Sequence, residues 1–519
     1  MLQIIIYIAT LYICLFALLR YDIQMFQGNS YRYSRYFRWW WGGNILTHSR
    51  WWFIAVALGS LNLLAQMVTI LLMWLFFYRE LTTKYKTPIV YTPRVRRLFV
   101  ASFLLLSLLV GGLWLGRVDI YIGGIILAFI PLLSNWLMLL ANLVNTPIER
   151  AITRWYINDA KRIISSHTRL TVIGVTGSYG KTSTKNYLHR LLSERYNVLI
   201  TPGNYNTLLG VVKTIRESLR PQHQIFIVEM GAKQRGDIKE ICDLVNPTIG
   251  IISSVGSAHL ETFGSIENIQ MTKFELVNSL PKSGLGVINF DSDGVHTFGG
   301  ITSEAEIVRY SIEREGADYR ATNVNYNSSG VSFNLKLEGD KREFSSPLLG
   351  GGNVLNLTAA IVVANHLKVP TTKIQAALTQ IKPVEHRLSM RKVGSMTILD
   401  DAYNSNPDGA RMALSVLSRF DRPEGGLRIV ITPGFVEMGE MQFEANREFG
   451  RQIAKSCDFA IVVNELNREA IHKGLCDEGF PSEKIYLADS LNDARTHLST
   501  LLTSGDVVLY ENDLPDTFK

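Results

Sequence analysis

The sequence predicts a helical membrane region followed by an α/β enzyme in two parts, and three observations carry that expectation. Four long apolar runs occupy the first 144 residues. Past residue 165, short β-branched runs alternate with helical ones, as in parallel α/β sheets. Between the first such strand and helix lies a glycine-rich turn ending in Gly180-Lys181-Thr182. At 519 residues the chain exceeds one compact core, and we expect domains at 1–150, 165–384 and 385–519.

The apolar runs cover 2–19, 52–77, 98–116 and 120–144, and none contains Asp, Glu, Lys or Arg. A helix needs about 20 residues to cross the hydrocarbon core. Trp51, Trp52, Trp74, Tyr78 and Trp114 lie near the run ends, where interfacial aromatics belong. The first run lacks a basic flank before it and a small-residue cleavage site after it, so it reads as a retained helix. The basic 79–97 connection reads as cytoplasmic, which puts the chain after residue 145 on the same side. It also puts segment 20–50, with five arginines, outside, against the same rule; either SYRYSRYFRWWW lies on the bilayer surface or one apolar run does not cross fully. The expected location is therefore the cell membrane, multi-pass, with catalytic domains in the cytoplasm.

Charge follows this division. Residues 1–160 carry 14 Lys+Arg against 5 Asp+Glu, whereas the rest of the chain is slightly acidic. Basic residues that flank apolar runs point to anionic lipid headgroups as a partner and away from nucleic acid. The four cysteines are scattered without metal-ligand spacing and read as free thiols in a reducing compartment.

The run LTVIGVT (170–176) reads as a buried strand. It leads into Gly177, Ser178, Tyr179, Gly180, Lys181, Thr182 and Ser183, then a helix with Tyr187, Leu188, Leu191 and Leu192 on one face. Strand, glycine turn and helix form a phosphate cradle: backbone N–H groups and the helix N-terminus attract the anion, Lys181 reaches the β/γ-phosphates, and Thr182 can hold Mg2+. The spacing departs from the usual loop, since Val175 stands at its first glycine and Gly174 one place early. Glu229 ends the apolar strand QIFIVE, where a carboxylate faces bound nucleotide.

Ordered motifs then accumulate. TGSYGKTSTK (176–185), TPGNYNT (201–207), IVEMGAKQRGDI (227–238), SSVGSAHLETFGSIENIQMTKFEL (253–276), INFDSD (288–293), GGGNVLNLTAA (350–360), EHRLSM (385–390) and LDDAYNSNPDGARMAL (399–414) resemble the Mur ligase family. The likeness is strongest to its branch that adds a terminal D-alanyl-D-alanine dipeptide. It implies a P-loop central domain, a C-terminal Rossmann-like domain, and ATP with two Mg2+ ions. By resemblance, Glu229 shares a Mg2+ with Thr182, and His259, on its own as easily a structural histidine, binds the second. Lys273 corresponds to a lysine that CO2 carbamylates, turning a cation into a carboxylate-like metal ligand. Asn289 corresponds to the residue that reads adenine, Arg387 to a hinge arginine that meets phosphate, and Asp401 (or Asp400) to the ribose ligand. Asn204, Asn206, Asn404 and Asn406 fall at positions expected to meet substrate, although Asn204 and Asn206 also suit plain turn residues beside Gly203.

In the last third SMTILDD, LRIVITP, FAIVVN, KIYLA and DVVLYEN read as strands. Two departures from the family stand out here. Asn446 occupies the place of a usual histidine, and the final strand leads into acidic Glu511-Asn512-Asp513 where a basic loop is usual. A third lies before the P-loop, where apolar runs replace the family's soluble uridine-nucleotide domain.

The implied activity is an ATP-dependent amide ligase that adds an amino acid or a dipeptide such as D-Ala-D-Ala to a muramoyl-peptide precursor, through an acyl phosphate. A lipid-linked or other non-UDP acceptor is the alternative within that class, and a folate-type or poly-amino-acid ligase a weaker variant. A membrane-coupled P-loop ATPase is a different class, but the runs lack the intramembrane charges that line ion paths. A catalytically dead scaffold would not need Lys181, Glu229, His259 and Lys273 together.

Overall fold

The computed structural model describes residues 2–29, 31–41, 71, 74, 75, 77–79, 82, 88–118, 122, 126, 133–203, 205–256, 260–403, 406–420 and 425–512. Two compact units divide between Trp155 and Tyr156.

The first unit is helical: Leu2–Gly28, Tyr33–Trp41, Pro93–Leu115 and the first two-thirds of Ser134–Ser165. Thr92 starts the third of these, its hydroxyl accepting from Val95 N–H at 3.3 Å ahead of Pro93, whose missing N–H costs nothing in the first turn. Leu11, Leu15, Leu18 and Ile23 pack with Leu98, Phe99, Leu106, Met138 and Leu139. Among the described residues two helices, Ile8–Gly28 and Pro93–Leu115, are long and apolar enough to cross a bilayer by length and composition. The apolar run at 2–19 therefore ends before its helix does. The helix continues through Arg20 and the buried Asp22, which accepts from Ser134 Oγ at 2.6 Å. The 98–116 run lies within Pro93–Leu115 apart from its last residue. The run at 52–77 and the first part of 120–144 lie, but for single positions, outside the described residues.

The second unit holds three sheets. Seven strands form the first: β1 Thr171–Thr176, β2 Val198–Ile200, β3 Ile225–Glu229, β4 Ile249–Ile252, β5 Leu285–Asn289, β6 Glu306–Ser311 and β7 Tyr319–Arg320. All run parallel in the order β2-β3-β1-β4-β5-β6-β7. The strands β3 and β4 are buried along their whole length, which explains their apolar sequence, broken only by Glu229 at the carboxyl end of β3. The chain leaves β1 toward β2 on one side and crosses from β3 over β1 to β4 on the other. A crevice therefore opens at the carboxyl ends of β1 and β3, the usual ligand position in such sheets.

A small antiparallel sheet follows, β8 Thr322–Asn327, β9 Gly330–Leu337 and β10 Asp340–Ser346, in the order β10-β9-β8. The third sheet is β11 Ser389–Val393, β12 Met396–Asp401, β13 Arg428–Thr432, β14 Phe459–Val463, β15 Ile485–Ala488 and β16 Val507–Glu511. Its order is β11-β12-β16-β13-β14-β15, with only β11 antiparallel to its neighbour. The five strands expected from sequence in the last third are all present; the exposed edge strand β11 and the small sheet are additions.

Candidate active site

The glycine turn sits at the carboxyl end of β1 and opens the Lys181–Leu192 helix. Gly177 has φ +152°, and a Cβ there would fall 2.1 Å from Ser253 Oγ. Gly180 has φ +79°, with Asn356 Oδ1 2.5 Å from its ideal Cβ. Both positions demand glycine on conformation and on space. Gly174 has another role: a Cβ in mid-strand would meet Leu276 Cδ1 at 2.6 Å, so this glycine admits the Ile266–Asn278 helix. That accounts for the irregular glycine spacing.

The loop is braced from behind by the segment after β4. Ser178 N–H donates to Ser254 O and Tyr179 N–H to Ser254 Oγ, both at 2.8 Å. Ser253 Oγ donates to Thr176 O at 3.1 Å and also to Tyr179 O. Lys181 folds back over the loop, its Nζ donating to Gly177 O at 2.7 Å and Ser178 O at 3.2 Å. Burial lowers its pKa to about 8; Glu229 opposes that shift and Arg387 adds to it.

Val175 and Glu229 are register partners at the strand ends. Thr182 Oγ1 donates to Glu229 Oε1 at 3.2 Å, and Asn206 Nδ2 donates to the same oxygen at 3.1 Å. Glu229 Oε2 faces Lys185 Nζ at 3.0 Å as an ion pair, but receives no aligned hydrogen bond. Burial alone would raise the Glu229 pKa, yet Lys185 and Lys181 outweigh it and hold the carboxyl below its ordinary value. A hydroxyl beside an ionised carboxylate with an underused oxygen fits Mg2+, which prefers hard oxygen ligands.

Lys273 lies on the Ile266–Asn278 helix, 3% exposed, with its Nζ 6.0 Å from the Phe263 ring centroid. Burial, then the charge of Lys181, lowers its pKa to about 7. A large neutral-amine fraction near pH 7 is the form that adds CO2.

From the third sheet's side, Arg387 stacks on Tyr403 at 4.7 Å and is close enough to Lys181 and Glu229 to perturb both electrostatically. Asp401 Oδ1 accepts from Leu388 N–H at 2.9 Å; burial raises its pKa while Arg387 pulls it down. Asp400 instead meets His386 Nδ1 at 2.9 Å. The structure thus gathers Lys181, Thr182, Glu229, Asn206, Lys273 and Arg387 around one crevice rich in positive charge, suited to phosphate.

Other expected residues are placed differently. Asn289 is buried, with its Nδ2 donating to Ser253 O at 2.7 Å and its Oδ1 accepting from Asp291 N–H at 3.0 Å. Asn406 caps the Pro407–Ser418 helix by accepting from Gly409 N–H at 2.9 Å. His259, Asn204 and Asn404 lie outside the described residues. Lys185 was not singled out by sequence reasoning; its spacing of four from Lys181 was the available signal. Asn446 proves to be an internal clamp, described below.

Comparison with known proteins gives the chain a family. The family model described as Mur ligase middle domain matches residues 175–364, and that described as Mur ligase, glutamate ligase domain, matches 386–510. UDP-N-acetylmuramoyl-tripeptide–D-alanyl-D-alanine ligase of Mycobacterium tuberculosis is 33% identical over 359 residues, covering 66% of this chain and 70% of that protein. The crystal structure of MurF from Acinetobacter baumannii superposes with a TM-score of 0.62 at 26% identity, covering 68% of this chain and 76% of its own. MurF ligase from Thermotoga maritima in complex with ADP gives 0.60 at 27% identity, over 69% and 80%. With both domains matched in order around a phosphate-binding crevice, the chain belongs to the Mur ligase family of ATP-dependent, ADP-forming ligases.

Proposed function

We propose that this enzyme joins D-alanyl-D-alanine to UDP-N-acetylmuramoyl-tripeptide, the reaction its curated relatives are named for, while attached to the cytoplasmic face of a membrane. The observation that carries the ligase chemistry is the convergence of Lys181, Thr182 and Glu229 with Arg387 from the other sheet.

A carboxylate of the acceptor attacks the γ-phosphorus of ATP, and ADP leaves. Lys181 swings from its own loop carbonyls onto the phosphate oxygens, and the P-loop N–H groups share the charge. Two Mg2+ ions, when bound, neutralise phosphate charge; Thr182 and Glu229 would hold one, His259 and carbamylated Lys273 the other. The amine of the dipeptide then attacks the acyl phosphate, forming the amide and releasing phosphate. Arg387, on the hinge between the sheets, meets phosphate as the domains close and exclude water. By resemblance to the family, Asn289 is assigned to adenine, Asp401 to ribose, and Asn204, Asn206, Asn404 and Asn406 to the substrates; Asn289 and Asn406 would meet them with the hydrogen-bonding capacity left over from their contacts inside the fold.

Membrane attachment is supported by the Ile8–Gly28 and Pro93–Leu115 helices and by the basic first third. The test is ADP release by the detergent-purified chain. Release that requires both UDP-muramoyl-tripeptide and D-Ala-D-Ala supports the assignment. Release without any amine would make the protein an ATPase, and turnover only on a polyprenyl-linked acceptor would replace the soluble nucleotide with a lipid.

A further inference from the structure

Lys185 is 1% exposed, and a lysine charge so buried is costly unless it is paired and hydrogen-bonded. Two of its N–H groups donate to Thr201 O and Gly203 O at 2.8 Å each, and its charge is paired with Glu229 Oε2 at 3.0 Å. These belong to separate parts of the site. Thr201 and Gly203 begin the loop that carries Asn206, Glu229 ends β3, and Lys185 itself lies on the phosphate-binding helix, one turn after Lys181.

Other bonds close the same circuit. Asn206 Nδ2 returns from the loop to Glu229 Oε1, Gly231 N–H donates to Asn206 O at 2.7 Å, and Glu229 N–H donates to Thr201 Oγ1 at 3.1 Å. The loop and the carboxylate are joined to each other at several points. Thr182 ties the helix to Glu229 Oε1 alone, whereas Lys185 reaches both the loop carbonyls and Glu229 Oε2 from the helix.

We propose that Lys185 is a positioning residue of the ligase site: it locks Thr201, Gly203 and the Glu229 carboxylate to the phosphate-binding helix, so that one ammonium sets the metal-binding carboxylate and the start of the acceptor-side loop together. This rests on the reading of Glu229 and Thr182 as a Mg2+ site. Lys185 touches neither nucleotide nor acceptor in this scheme and acts through its partners. A side chain that served the core alone would weaken all ligand binding in step with stability. A positioning residue divides the effects, because the cradle from Gly177 to Thr182 stays intact while Glu229 loses its aim.

The experiment is calorimetric titration of full-length Lys185→Gln in detergent with ADP, once in EDTA and once in millimolar Mg2+. Glutamine keeps a donor for one loop carbonyl and removes the charge. We expect metal-free ADP affinity within about twofold of wild type and the gain in affinity on adding Mg2+ reduced about tenfold or more. Equal losses in both titrations, or none in either, would overturn the proposal. Should the glutamine variant not fold, Lys185→Arg keeps the charge but replaces three converging donors by a planar fork, and it is read by the same two titrations. Failure of both variants to fold would make Lys185 a residue of the core and overturn the proposal as well. Since neither titration requires turnover, a wild-type chain inactive with muramoyl-tripeptide and D-Ala-D-Ala would sink the substrate assignment without touching this one.

Discussion

Lys181 and Lys273 share a crevice and are both made less basic there, with different consequences. Lys181 keeps its charge in reach of phosphate, so Lys181→Ala should lower ADP formation by about 10²–10³-fold, a typical loss for one charge-stabilising donor. A melting temperature close to wild type would confirm that catalysis and not folding was lost; unchanged turnover would remove Lys181 from the mechanism. Lys273 gives a pH-dependent prediction. Its pKa falls from 10.5 to about 7 on folding, so between these values the unfolded chain binds the extra proton and stability rises with pH. Lys273→Met removes that penalty. In CO2-depleted buffer its gain in melting temperature should be largest at and below pH 7 and fade as the pH nears 10.5. A gain that does not vary with pH would contradict the burial argument. The same buffer tests carbamylation, since activity lost on CO2 depletion should return with bicarbonate.

At the scale of elements, the loop after β13 shows how a departure from the family is absorbed. Asn446 is fully buried on the Gln442–Ser456 helix. Its Oδ1 accepts from Phe435 N–H at 2.8 Å, and its Nδ2 donates to Phe435 O at 3.1 Å and Gln442 O at 2.8 Å. Asn467 and Asn512 add amide donors to Pro433 O, Phe435 O and Gly434 O. Three asparagines thus hold one turn. Asn446→Ala strips Phe435 N–H of its acceptor and should cost about 1–3 kcal/mol in denaturant unfolding; a loss below about 0.5 kcal/mol would show that water replaces the amide. The phosphate cradle was legible in sequence because its strand, glycines and helix are adjacent in the chain. The β8–β10 sheet was not, because TNVNYN and DKREFSS are too polar for alternation to stand out, and β9 supplies most of the buried face.

For the whole molecule, the second unit carries its own apolar cores and every described residue of the proposed site. A chain of residues 156–519 should therefore be obtained without detergent and bind ADP with an affinity within a few-fold of full length, whereas the full chain should sediment with membranes and resist high-salt extraction. Salt-releasable full-length protein would show that electrostatic attraction, and not helix insertion, accounts for attachment. A fragment that folds but no longer binds ADP would place part of the nucleotide site in the first unit.

The sequence by itself determined the local signals. These were the apolar stretches of the first third, the strand–glycine–helix cradle at 170–192, the strand–helix alternation of both large sheets, and the ordered motifs that mark the family. Each is written in neighbouring residues, where periodicity and chirality act without help from the rest of the fold. Only the tertiary structure decided which polar groups meet: Lys185 with Glu229 across 44 positions, Arg387 beside Lys181, and Asn446 turned inward to a loop. Those pairings depend on the order in which strands are laid into a sheet, and no local pattern records how far apart in the chain two facing strand ends will be.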